Sequence, residues 1–257
     1  MLTTNKMFEG IIHFFYIILY QPLFNALVLL YNYVPGHDFG IAIIVLTLLI
    51  RFILYPLSVK AVNSQRSLQK LQPKIKEIQD KYKTDKEKQA KEILELYKKE
   101  KINPFSGLLL AIIQLPILIA LYRVFWNGLN PDELSALYTF VASPGQINAL
   151  FLHLIDLSKP NFILAIIAGV TQYFQAKMLI PQAKPKSSGQ NKQADISQAM
   201  QKQMIYFMPV FTVIILIGLP SALGLYWTIS GLFSIIQQHL IFKKNNQHEL
   251  ENKPVAQ

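Results

Sequence analysis

Apolar positions along this chain fall into two patterns. Five runs are long and nearly continuous: Phe39–Leu57, Phe105–Trp126, Phe162–Ile180, Ile205–Leu219 and Ala222–Phe242. Runs that approach about 20 residues predict helices that cross a bilayer. Elsewhere apolar residues recur at helical spacing. Leu71, Ile75, Ile78 and Tyr82 form one stripe, and Ala90, Ile93, Leu94 and Tyr97 form another. Stripes of this kind predict amphipathic helices. Thr84 and Glu87 make a T-x-x-E capping box that starts the second helix, and Pro73 is expected to bend or break the first. With a short polar turn between them the two make an antiparallel hairpin over residues 60–103. Packing of one helix on the other is enough to account for both stripes.

Two segments depart from the simple pattern. The apolar stretch Ile11–Tyr31 contains Pro22 and Asn25 and is rich in Tyr and Phe, as at a membrane interface. It predicts a helix lying on the outer membrane surface, within an N-terminal region 1–38, although a sixth span would satisfy the loop charges equally. The run Ile205–Leu219 has 15 residues, about 22 Å of helix against a hydrocarbon core of about 30 Å, and would thin the bilayer beside it. Asn103-Pro104 reads as the cap and first turn of the second span. Pro181–Ser197, rich in Lys, Gln, Ser and Pro, reads as a flexible loop.

Charge orients the spans. Of 25 Lys and Arg, 13 lie in Lys60–Lys101, five in Lys177–Lys202 and three in Lys243–Lys253, while the segment from Asn127 to Pro160 holds only Lys159. The positive-inside rule places the three basic stretches in the cytoplasm and the Asn127–Pro160 loop outside. Every crossing of a five-span core, 39–242, then alternates correctly, and a short tail, 243–257, is cytoplasmic. The expected fold is an all-α integral membrane protein: a five-transmembrane-helix bundle with a cytoplasmic antiparallel helical hairpin and an N-terminal interfacial helix. A hydrophobic content of 52% agrees with this class, and the absence of cysteine excludes disulfides and thiol chemistry.

Arg51 stands inside the first span, and none of the long apolar runs contains Asp or Glu. A guanidinium in hydrocarbon costs from about 2.5 to more than 10 kcal/mol. Arg51 lies six residues from the inner end of its run, or about 9 Å, so its side chain could snorkel to the headgroups. Thr47, Tyr55 and Ser58 share its helix face. That polar stripe fits a hydrated groove better than an isolated snorkel. Gln114 sits mid-span before Pro116, where a helix–helix hydrogen bond and a groove position are both open. Tyr226, Ser230, Ser234 and Gln237 or Gln238 align on one face of the last span. Three spans thus carry polar stripes in their inner halves, consistent with a cationic, partly hydrated hollow open to the cytoplasm.

Enzymatic chemistry is not visible. There is no H-E-x-x-H, G-x-S-x-G, Walker A loop or intramembrane Asp pair, and His13, His37, His153, His239 and His248 lack metal-ligand spacing. No catalytic residue, metal or cofactor is expected. An anion channel or carrier with its site at Arg51, and a structural assembly partner of another membrane protein, remain competing classes.

Several motifs converge in order: Phe39-Gly40-Ile41-Ala42-Ile43-Ile44 with Thr47, Arg51 and Tyr55-Pro56-Leu57; Leu71-Gln72-Pro73-Lys74; Gln114-Leu115-Pro116; Phe207-Met208-Pro209; and Leu219-Pro220-Ser221-Ala222-Leu223 through Tyr226-Trp227 to Ile236-Gln237-Gln238. From about Gln21 to Phe242 the chain resembles the YidC-type membrane protein insertases. The resemblance implies a five-span core, the cytoplasmic hairpin, and a groove open to cytoplasm and lipid with one arginine, matched by Arg51. It implies groove positions at Thr47, Gln114, Tyr226 and Trp227. It also implies nascent membrane-protein clients, a ribosome, the Sec translocon and membrane lipids as partners, in a bacterial plasma membrane; nothing points to DNA. The large external domain of Gram-negative members is not seen, and the weakly basic tail leaves ribosome contact to the loop charges.

Overall fold

The computed structural model describes residues 9–10, 12–103, 106–127, 131–179 and 192–251. Its first helix, α1 (Ile12–Tyr33), is continuous. Pro22 has no N–H to donate and its ring would crowd the preceding turn, so the ladder widens just before it. Residues Tyr16–Tyr20 form a π turn, with the Gln21 N–H on the Tyr16 carbonyl. Pro22 and Asn25 therefore reshape the helix rather than interrupt it. Phe24, Leu27 and Val28 are buried along one face, while Phe14 and Ile18 are exposed.

Asn25 is a structural hub. Its amide donates to the Ala136 carbonyl at 3.0 Å, and its oxygen accepts from the Tyr138 N–H at 2.6 Å. Tyr20 donates to Glu133 at 2.7 Å, and the Tyr31 hydroxyl accepts from the Asn148 N–H at 3.0 Å. The segment 131–148 is thus fastened along the length of α1. Asn25→Leu strands the Tyr138 N–H and leaves the Ala136 carbonyl to the Gln21 amide alone, at 3.1 Å, and is expected to cost about 1–3 kcal/mol. Asn32→Leu, which removes one exposed bond to the Ala142 carbonyl, is expected to cost about 0.5 kcal/mol. Thermal unfolding of the two purified variants compares them directly.

Helix α2 (Phe39–Ile53) starts on Asp38, whose carboxylate accepts from the Ile41 N–H at 2.9 Å. Helix α3 (Tyr55–Lys81) follows after a single residue, Leu54, and the two are bent by 64°. Pro56, in the first turn of α3, cannot continue the α2 ladder. The run Phe39–Leu57 is therefore not one straight span: its helix ends at Ile53. Pro73, expected to bend or break the helix, lies inside α3, which continues through it.

Helix α4 (Lys86–Lys99) packs beside α3. Its cap differs from expectation. Asp85, not Thr84, accepts from the Lys88 N–H at 3.0 Å, and Glu87 is simply an exposed acid in the first turn. Asp85 lies one residue closer to the helix, so the orphan donor satisfied is the Lys88 N–H, not the Glu87 N–H that the box would have engaged. Leu71 and Ile75 are buried, but Ala90 and Leu94 are exposed; Gln89 takes the inward position, donating to the Gln79 carbonyl at 3.0 Å. Tyr82 reaches Glu92 at 3.5 Å, with Lys81 and Lys88 over its ring. A surface pair, Lys74–Glu100 at 2.7 Å, adds little.

The remaining elements are α5 (Ser106–Asn127), a two-residue antiparallel ladder of β1 (Leu150–Phe151) and β2 (Ile155–Asp156), α6 (Phe162–Leu179), α7 (Lys192–Leu216) and α8 (Ser221–Glu251). The ladder joins the helix starts. Asp38 also accepts from the Leu152 N–H at 2.6 Å, and the Ser221 and Ala222 N–H groups reach the Lys159 and Leu157 carbonyls. Lys159 at 2.9 Å, aided by Ser158, holds the Asp156 carboxyl below its usual range. Glycines permit close approach: a Cβ on Gly231 would lie 2.6 Å from Thr171, and one on Gly169 would lie 2.3 Å from Val213. Small residues set helix separation in membranes in this way.

Of the expected run Ile205–Leu219, residues Ile205–Leu216 are the last part of the longer α7 and 217–219 form the turn after it, and residues 243–251 of the expected tail continue α8. Pro104 of the Asn103-Pro104 cap and residues 181–191 of the expected Pro181–Ser197 loop lie outside the described residues, while residues 192–197, read as flexible loop, instead begin α7. Among those described, α1 alone is long and apolar enough to cross a bilayer, and α2 with α3 passes as a bent pair. The apolar parts of α5, α6 and α7 are shorter, at Ile112–Trp126, Phe162–Met178 and Ile205–Leu216. Their outward faces, with that of α8, expose Ile119, Ile163, Val170, Ile214 and Ile236. Apolar surface of that extent calls for a lipid or protein covering.

Candidate functional site

Arg51 ends up in the last turn of α2, because the helix stops at Ile53. A cation there meets the partial negative charge of the helix C-terminus, worth about 0.3–1 kcal/mol. Sequence reasoning missed this relief; Pro56 was the available signal. Arg51 is half-buried and makes no hydrogen bond or ion pair with the described residues. Its guanidinium nitrogens keep some exposure.

Tyr226 of α8 interacts electrostatically with Arg51. The same tyrosine is only 2% exposed and its hydroxyl accepts a hydrogen bond from the Gln114 amide of α5. Three residues far apart in sequence thus meet between α2, α5 and α8. Of the two readings open for Gln114, the structure contains the helix–helix hydrogen bond, and its partner is Tyr226.

The other expected residues divide. Thr47 is buried, and its hydroxyl returns to its own helix at the Ile43 carbonyl, 2.6 Å away. Tyr55 lies beyond the bend with its ring edge-on to Phe233, which also meets Phe52. Trp227 is half-buried against the core. Ser230 is buried and its hydroxyl has no partner. Pro73, Thr84 and Glu87 are exposed on the hairpin.

A second polar layer lies deeper along α8. Ser58 donates to the Gln237 oxygen at 2.7 Å, leaving the Gln237 amide nitrogen unpartnered. The side-chain oxygens of Gln238 and Gln172 are also buried without partners. Buried polar atoms without protein partners are ordinarily satisfied by water. The alignment of Ser234, Gln237 and Gln238 on one face was the signal for this layer. Among the described residues no group of His, Asp and Glu could hold a metal ion.

A family model described as 60Kd inner membrane protein matches residues 29–249. The membrane protein insertase YidC of Wigglesworthia glossinidia brevipalpis is 37% identical over 223 residues, 87% of this chain and 36% of that protein. The YidC of Fusobacterium nucleatum subsp. nucleatum is 34% identical over 207 residues, covering 80% of this chain and 87% of its own length. That of Psychromonas ingrahamii is 34% identical over 239 residues, 92% of this chain and 38% of that protein. The chain therefore spans little more than a third of two of these relatives and most of the third.

Proposed function

Because this chain belongs to the 60Kd inner membrane protein family, we propose that it is a membrane protein insertase and not an enzyme. It receives nascent hydrophobic segments in the space between α2, α5 and α8 and releases them sideways into the bilayer. The meeting of Arg51, Tyr226 and Gln114 carries the reading: a cation without an acidic partner among the described residues lies beside polar groups of two other helices.

The membrane arrangement follows from charge and packing. Helices α2, α5, α6, α7 and α8 cross the bilayer, with the hairpin and the C-terminus in the cytoplasm. Helix α1 lies along the outer surface. It touches segment 131–148 from Tyr20 to Tyr31, a distance of about 16 Å. A helix crossing the membrane would meet an external loop at one end only. The short apolar part of α7 thins the bilayer nearby.

A client's polar or acidic end enters from the cytoplasm and is sheltered by Arg51 and water. Its apolar stretch meanwhile moves into lipid, downhill by its own transfer energy, so no nucleotide or cofactor is needed. The hairpin meets the client first. Helix α4 packs on α3 through few contacts, which makes its opening inexpensive. Basic loops add weak, salt-sensitive attraction to the ribosome, and the Sec translocon is a further partner.

Photocrosslinking from positions 114 and 226 to ribosome-bound nascent chains tests the proposal. Adducts with several unrelated clients are expected. Adducts with one stable membrane subunit would instead favour an assembly role, and a chloride or phosphate current in planar bilayers would favour a channel.

A further inference from the structure

A second polar cavity lies away from the groove, between the start of α1, the end of α5 and the turn at Pro131–Ala136. Its volume is about 390 Å³, within the range of about 300–1,000 Å³ typical of small-ligand sites. Glu9, His13, Tyr20, Arg123 and Glu133 line it, with Ile12 and Tyr16. We propose that it holds the headgroup of a zwitterionic phospholipid bearing a phosphate beside a primary ammonium.

The charges carry the argument. Arg123 makes no hydrogen bond or ion pair with the described residues, so its guanidinium is available to a phosphate. A phosphate alone would also meet Glu9 and Glu133, two carboxylates within the same cavity. A ligand carrying both signs satisfies all three. Glu133 already accepts from Tyr20 through one oxygen, which leaves the other for an N–H donor. A primary ammonium can donate there; a quaternary ammonium cannot.

The surroundings point to lipid. Trp126 is 56% exposed and stacks on Tyr122 at 5.7 Å, one turn from Arg123. Exposed, stacked aromatics at a helix end mark the headgroup level. Beside the cavity Ile12, Phe14, Ile17 and Ile18 are exposed on α1 and form a seat for acyl chains. Placing the cavity in the outer leaflet rests on the orientation proposed above; its binding chemistry does not.

Native mass spectrometry of the full chain in detergent tests this with phosphatidylethanolamine, phosphatidylcholine and phosphatidylglycerol, and with water-soluble phosphoethanolamine and inorganic phosphate as competitors. Phosphatidylethanolamine is expected to be retained at least tenfold better than the other two lipids. Arg123→Ala and Glu133→Gln should each reduce that retention about tenfold, and Glu133→Gln should narrow the preference over phosphatidylglycerol. Glu133→Gln keeps the side chain's shape and decides the matter if Arg123→Ala does not fold. Equal retention of the three lipids, or no effect of Glu133→Gln, overturns the proposal. Displacement by phosphoethanolamine or phosphate at concentrations similar to the lipid's would assign the cavity to a soluble ligand, which also overturns it. No insertion is measured, so failure here leaves the insertase reading intact.

Discussion

Arg51→Ala is expected to lower insertion of clients with acidic translocated ends about tenfold or more, and to change clients with neutral ends by less than about twofold. Two unit charges 4 Å apart attract by about 4 kcal/mol at an effective dielectric near 20. Water in the hollow screens this, and a remaining ~1.5 kcal/mol is about a tenfold effect. Reconstituted vesicles and paired clients differing only at Asp and Glu give the ratio. Arg51→Lys separates charge from shape. It retains most activity if a moist cation suffices, and loses it if the planar guanidinium must be shared with Tyr226. Equal losses for both client classes in Arg51→Ala would remove the charge role.

Gly169→Ala is the second large effect. The new methyl would lie 2.3 Å from Val213 Cγ2 and 3.2 Å from the Pro209 carbonyl oxygen. Val213 is β-branched and has little rotamer freedom in a helix, so α6 and α7 must separate. A loss of about 1–3 kcal/mol is expected, seen as a lower thermal midpoint in detergent. Gly218→Ala provides the contrast, because its nearest neighbour would be at 3.7 Å. Adding Val213→Ala to Gly169→Ala should restore part of the loss. If Gly169→Ala and Gly218→Ala melt alike, the helices are not held at the separation described here.

The two effects draw on different levels of information. Arg51 within its apolar run, the absence of acids from the long apolar runs and the basic stretches were legible as local sums over neighbouring residues. Gly169 carried no such signal, since its importance arises only when Val213, 44 residues later, comes to face it. The hairpin shows both levels at once. Its helices were readable from periodicity, yet Asp85 and not Thr84 became the cap, because the helix starts at Lys86 and the Lys88 N–H is the donor in reach. Likewise Gln114 left two readings open until Tyr226, 112 residues away, supplied the acceptor.

By itself the sequence determined a mostly helical membrane protein and supplied the grounds for proposing a cationic inner hollow, an orientation and a hairpin, because hydropathy and charge act residue by residue. Only the tertiary structure decided that α2 stops just past Arg51, that Asn25 anchors segment 131–148, and that Arg123 shares a cavity with Glu9 and Glu133. Each of those depends on which groups from distant segments come within a few ångströms, and short-range contacts of that kind leave no periodic trace along the chain.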